Sequence, residues 1–159
     1  MKAKTKRIIV FISAIVICQI AGLLGSLFTT PSLSIWYAAL QKPSFQPPSW
    51  LFAPVWTALF VLIGIALYLV WSKKTKKPKK TAIKWFSIQL GLNVLWSALF
   101  FGMHSPLLAL IELILLWIAI LLTIISFYKI SKQAAYCLIP YILWVSFAAV
   151  LNLAIVLLN

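Results

Sequence analysis

The stretch WLFAPVWTALFVLIGIALYLVW, Trp50 to Trp71, runs 22 residues without a charge and is followed at once by SKKTKKPKK, residues 72–80. A helix needs about 20 predominantly apolar residues to cross the hydrocarbon core of a bilayer. The stretch therefore reads as a membrane span that stops at a run of lysines. Four more stretches read the same way: Ile8–Phe28, Ile83–Phe101, Leu107–Tyr128 and Ala134–Leu158. None shows the ten-residue alternation of a barrel strand. Pro140 lies in the first two turns of the last stretch, where a freed carbonyl is tolerated. The expected fold class is an all-α membrane protein, a bundle of five transmembrane helices with a long structured first loop. It forms a single domain over residues 1–159.

Composition agrees with lipid as the main solvent. Apolar residues make up 64% of the 159 residues and charged residues 9%, against about 45–50% and about 25% in soluble domains. A soluble chain of this size has too little interior to hide so much apolar surface, and disorder needs the opposite balance. The net charge of +13 comes from 14 basic residues and a single acidic one. The basic residues sit in clusters between the spans, which is the pattern of membrane orientation signals and not of nucleic-acid binding. Lys2, Lys4, Lys6 and Arg7 precede the first span. Lys73, Lys74, Lys76, Lys77, Lys79, Lys80 and Lys84 follow the second, and Lys129 and Lys132 follow the fourth. Five spans put all of these on one side and only Lys42 on the other. The positive-inside rule then places the N-terminus in the cytoplasm and the C-terminus outside the cell membrane. The lysine run is expected to meet anionic lipid headgroups. The first span is too long for a signal-peptide core and lacks an A-x-A site, so it reads as a retained helix.

Between spans one and two, Thr29 to Ser49 is a long connection rich in Trp36, Tyr37, Leu40, Phe45 and four prolines. Ile35, Trp36, Ala39 and Leu40 have helical spacing, so a short helix across the bundle mouth is expected, with prolines stiffening the return. It reads as an interfacial anchor or as a lid over a cavity. The run Trp36-Tyr37-x-x-Leu40-x-Lys42-Pro43-x-x-x-Pro47-Pro48-x-Trp50-x-Phe52-x-Pro54-Val55-Trp56 resembles the signature of the tryptophan-rich sensory protein/translocator protein (TspO/MBR, peripheral benzodiazepine receptor) family, in its bacterial form. Further resemblance follows in order. It runs through Asn93-x-x-Trp96-Ser97-x-x-Phe100-Phe101, Glu112, Trp117 and Pro140-Tyr141-x-x-Trp144-Val145-x-Phe147-Ala148-x-x-Leu151-Asn152.

The resemblance implies a five-helix membrane protein, commonly a homodimer. It implies binding of tetrapyrroles such as protoporphyrin IX, and of benzodiazepine and isoquinoline carboxamide ligands. It carries binding roles onto Tyr37, Pro47, Trp56, Asn93, Trp96, Trp144, Phe147, Ala148 and Leu151. In some relatives it extends to light- and oxygen-dependent breakdown of bound protoporphyrin, for which Trp56 and Trp144 would be the redox partners. Protoporphyrin would then be a ligand or substrate; no cofactor is expected. The alternatives left open are a porphyrin or amphiphile transporter and a structural role. Sterol binding is disfavoured, because the end of the fifth span carries neither the Tyr nor the basic residue of the proposed cholesterol pattern.

The residues support part of this independently. Trp56 and Phe60 lie four apart on span two. Gln89, Asn93, Trp96 and Phe100 form a stripe on span three, and Trp144, Phe147, Ala148 and Leu151 one on span five. A cavity bounded by Trp56, Trp96 and Trp144, with Asn93 as polar handle and Ala148 leaving room, suits a flat aromatic ligand with carbonyl or carboxylate acceptors. Trp117 turns away from Glu112 and is assigned to packing. Trp36, Trp50, Trp71 and Trp85 are accounted for by interface belts. Glu112, the one acidic residue, is a functional candidate by its depth. A structural role is preferred, with the Trp96 N–H at similar depth as its donor. One His104, two separated cysteines and no aspartate make a metal site or a catalytic triad untenable. Small residues four apart (Ala21/Gly25, Gly22/Ser26, Ala98/Gly102) are the expected homodimer faces.

Overall fold

The computed structural model describes residues 3–75, 77 and 79–159. Among these residues, five helical segments are long and apolar enough to cross a membrane. The first, α1 (Ala3–Ser32), continues through a π-helical turn at Leu33–Tyr37 into Ala38 and Ala39. A short 3-10 turn (Ser49–Leu51) leads into α2 (Phe52–Ser72). Then come α3 (Lys79–Ser97), with a π-helical turn at Ala98–Gly102, and α4 (Pro106–Tyr128). The fifth span is divided into α5 (Lys132–Cys137) and α6 (Ile139–Leu158). The break falls at Leu138, two residues before Pro140. Proline has no N–H for the i→i−4 ladder, and its ring crowds the preceding turn.

The first loop is shorter than the sequence suggests. Residues 29–39 prolong α1, and only 40–48 are irregular. The apolar spacing at Ile35, Trp36, Ala39 and Leu40 was compatible with a separate helix, but extending an existing helix avoids the cost of a new nucleus. Pro31 lies inside α1 and frees a carbonyl one turn back. The backbone widens to the π-helical turn two residues later. Ser32 Oγ, in the same region, donates to the Phe101 carbonyl at 2.7 Å and ties this end of α1 to the α3–α4 corner.

Going round the bundle, α1 packs on α2 and α3, α3 on α4, and α4 on α6, while α2 meets α5. The α1–α2 approach is close. A Cβ on Gly64 would lie 2.7 Å from the Ile15 Cα, and one on Gly22 would lie 2.7 Å from the Phe60 ring. Gly25 likewise faces Ser97, and Gly102 faces Phe28. The glycines of the expected dimer faces are thus spent on packing within one chain, because the helices they serve cross at short range.

Candidate functional site

Towards the α3–α4 corner the helices do not close. They surround a cavity of about 370 Å³. Of the residues singled out from sequence, Tyr37, Trp56, Phe60, Asn93, Trp96, Trp144, Ala148 and Leu151 line it. Pro47 and Phe147 do not. Pro47 is half-buried in the connection to α2, and Phe147 packs behind the wall, 5.6 Å from Trp144 and 6.5 Å from Phe45.

The walls are aromatic and braced. Trp96 stacks on Phe100 at 5.1 Å and 20°. Trp56 lies 5.7 Å from Phe60 and meets Tyr141 edge-on at 6.2 Å. Phe52 meets Trp144 edge-on at 5.9 Å. These are the offset and T-shaped arrangements that aromatic quadrupoles favour.

Hydrogen bonds cross between helices around the cavity. Asn93 Nδ2 donates to Tyr141 Oη at 3.0 Å, and the Tyr141 hydroxyl donates to Gln89 Oε1 at 3.0 Å. This chain, buried between α3 and α6, orients the Asn93 side chain. Trp96 Nε1 donates to Asn152 Oδ1 at 3.3 Å, and Asn152 Nδ2 donates to the Pro106 carbonyl at 2.8 Å. The Trp96 N–H therefore does not serve Glu112, as its depth had suggested. Glu112 is 5% exposed, and neither carboxylate oxygen has a partner among the described residues. Trp117 packs against the core and donates to Ser146 Oγ at 2.8 Å. Trp144 Nε1 stands apart: it is buried and has no acceptor among the described residues.

Sequence reasoning missed the contribution of α1. Gln19, Gly22, Ser26 and Thr29 line the cavity together with Leu33. They recur at steps of three, four and three in an otherwise aliphatic span, and that polar and small stripe was the available signal. His104 is not among the residues that line the cavity. Its ring stacks on Trp36 at 4.5 Å, and Nε2 is 3.2 Å from Ser32 Oγ.

Five apolar helices around a tryptophan-lined cavity define an integral membrane protein with an internal cavity. The relatives make the class particular. The sequence profile of the TspO/MBR family matches residues 14–158, and the chain belongs to that family. It is similar to the tryptophan-rich protein TspO of Chlorobaculum tepidum, with 47% identity over 97% of this chain and 98% of the relative. The tryptophan-rich protein TspO of Archaeoglobus fulgidus is 46% identical over 96% of this chain and 98% of its own length. The human translocator protein is 38% identical over 80% of this chain and 77% of its own.

Proposed function

We propose that the chain is a membrane receptor for tetrapyrroles such as protoporphyrin IX, and that the same cavity takes benzodiazepine and isoquinoline carboxamide ligands. The observation that carries this reading is the unpartnered Trp144 N–H among the aromatic residues that bound the cavity. A buried donor without an acceptor costs about 1–3 kcal/mol, and a rotation of the Trp144 indole would bring that N–H to a ligand carbonyl or carboxylate in the cavity. The volume of about 370 Å³ falls in the range usual for small-molecule sites. Flat aromatic ligands suit walls of Trp56, Phe60, Trp96 and Phe100, and Asn93 keeps one amide N–H beyond its bond to Tyr141. Titration with protoporphyrin in detergent tests the reading through tryptophan fluorescence. Saturable quenching at one porphyrin per chain is expected; quenching no different from that of an unrelated five-span protein would refute it.

A second reading adds chemistry: light- and oxygen-dependent breakdown of the bound porphyrin, with Trp56 and Trp144 as redox partners. It is favoured by the Trp56–Tyr141 contact, which sets two readily oxidised rings edge-on at 6.2 Å. Product yield per bound porphyrin separates the readings. A fall in Trp56→Phe and Trp144→Phe at equal occupancy supports participation, and an equal yield leaves a binding protein. The N-terminus is assigned to the cytoplasmic side of the cell membrane from the lysine asymmetry, and a homodimer is expected from the family.

A further inference from the structure

The tryptophan cavity carries no charge of its own. Among the described residues that line it there is no lysine, arginine, histidine, aspartate or glutamate, and its polar groups are hydroxyls, carboxamides and indole N–H groups. Such a lining suits a neutral aromatic ring. An ionised carboxylate in surroundings without water needs a cation as well as hydrogen bonds. Protoporphyrin-type tetrapyrroles carry two propionates on one edge of the macrocycle, so a site for them has to offer a cation where that edge emerges.

One cation stands there. Lys42 is the single basic residue between the first and second spans, while thirteen of the fourteen basic residues, His104 not counted, lie elsewhere in the sequence. Its Nζ lies over the Tyr37 ring, 4.9 Å from the ring centre, and Tyr37 is part of the cavity wall. The ammonium donates to the Ala38 and Leu40 carbonyls at 3.2 and 3.3 Å, where the prolonged α1 ends and its last carbonyls lack helical partners. An ammonium has three donors, so two hold it in place and one is left over. The backbone beneath it is held as well. Asn159 Oδ1 accepts the Gln41 N–H at 2.9 Å, and Asn159 Nδ2 donates to the Gln41 carbonyl at 3.0 Å. Pro43 biases Lys42 towards extended backbone. His104 is taken up by Trp36 and Ser32, and Glu112, the one acidic side chain, is buried in α4.

We infer that Lys42 is the anion-recognising residue of this cavity: it takes a propionate of the tetrapyrrole and selects acidic macrocycles over neutral ones of the same shape. The inference rests on the reading of the cavity as a tetrapyrrole site. The macrocycle lies among the aromatic walls with its acidic edge towards the first loop. Isoquinoline carboxamides bring no carboxylate, so Lys42 adds nothing to their binding.

Fluorescence titration of the full chain in neutral detergent, with protoporphyrin IX and with its dimethyl ester, tests the assignment, because the ester keeps the macrocycle and removes the charge. Lys42→Gln should weaken binding of the acid about tenfold and leave the ester and an isoquinoline carboxamide unchanged. Lys42→Arg keeps the charge and should restore the acid. An acid affinity that survives Lys42→Gln overturns the proposal. So do equal losses for all three ligands, which a purely structural tie from Lys42 to α1 would produce. A second measurement needs no variant: added salt should narrow the difference between acid and ester in the parent, and equal binding of the two, or a difference indifferent to salt, also overturns it. A parent that binds the carboxamide but saturates with neither porphyrin refutes the tetrapyrrole reading itself, a result distinct from equal binding of acid and ester.

Discussion

At the lysine-rich end of the bundle, Ile63, Ala66, Val70, Phe127, Ala134 and Leu138 are closed to solvent and pack in one continuous cluster. At the other end, α2, α3, α4 and α6 hold a cavity of about 370 Å³ open between them, with α1. Both ends are apolar and both contain aromatic rings, so hydrophobicity does not separate them. Side-chain size and hydrogen bonding do. In the closed half, Ala66, Ala82, Ala134 and Ala135 let backbones approach, and Phe86 and Phe127 stack nearly parallel at 5.9 Å. In the open half, indoles and phenyls stand where helices would otherwise meet. The Trp96 indole and the amides beside it are fixed to distant elements: Trp96 to Asn152, Asn152 to Pro106, and Asn93 through Tyr141 to Gln89. Collapse would break those bonds in a medium with no water to replace them. A membrane bundle thus packs where its residues are small and stays open where large residues are braced.

If that contrast is right, the two ends should respond differently to mutation. The largest effect is expected at the closed end. Phe127→Ala removes a fully buried ring and should cost about 3 kcal/mol of stability, seen in unfolding from detergent, with aromatic-ligand affinity little changed in the folded fraction. A loss below about 1 kcal/mol would mean that this half is not the rigid one.

Next comes Ala148→Leu, which fills space in the open half. It should weaken isoquinoline carboxamide binding by about 2 kcal/mol through overpacking, measured by radioligand competition, while thermal stability stays near that of the parent. Unchanged affinity would place that ligand elsewhere.

Trp144→Phe sharpens the comparison further, because here affinity and stability should move in opposite directions. The ligand loses a donor, about 1 kcal/mol, whereas the empty protein sheds an unpartnered buried N–H and should be no less stable. Calorimetric titration with a carbonyl ligand, paired with unfolding of the ligand-free protein, reads both. A stability loss equal to the affinity loss would show that the indole is structural.

The smallest effect is expected at Glu112→Gln. The amide keeps the shape and removes a group for which neither oxygen has a partner among the described residues. Stability should hold or rise by less than about 1 kcal/mol, and a clear loss would reveal a partner for the carboxyl.

Much of this organisation is legible in residue spacing. The Trp56/Phe60 pair and the stripes through Asn93, Trp96 and Phe100, and through Trp144, Ala148 and Leu151, point to one cavity because helical periodicity puts each set on one face. The same rule placed Phe147 on the α6 stripe, yet it lies behind Trp144. A stripe spans a wide arc, and neighbouring helices decide which part of it faces inward. Pro47 and the extent of α1 were harder to read. In that segment the propensities of a loop and a helix extension are close, and contacts such as Ser32 to Phe101 tip the balance.

The chain by itself determined five spans, the side on which its lysines gather, and the helices that would bring tryptophans together. Those properties depend on local apolar length and on a fixed helical repeat. Tertiary structure alone decided that α1 supplies the remaining wall, that its glycines serve α2 and α3, and where each indole N–H finds its acceptor. Trp96 reaches Asn152, Trp117 reaches Ser146, and Trp144 reaches none among the described residues. A hydrogen bond between two helices depends on which helices are neighbours and on their relative rotation and depth, and periodicity within one helix carries none of that information.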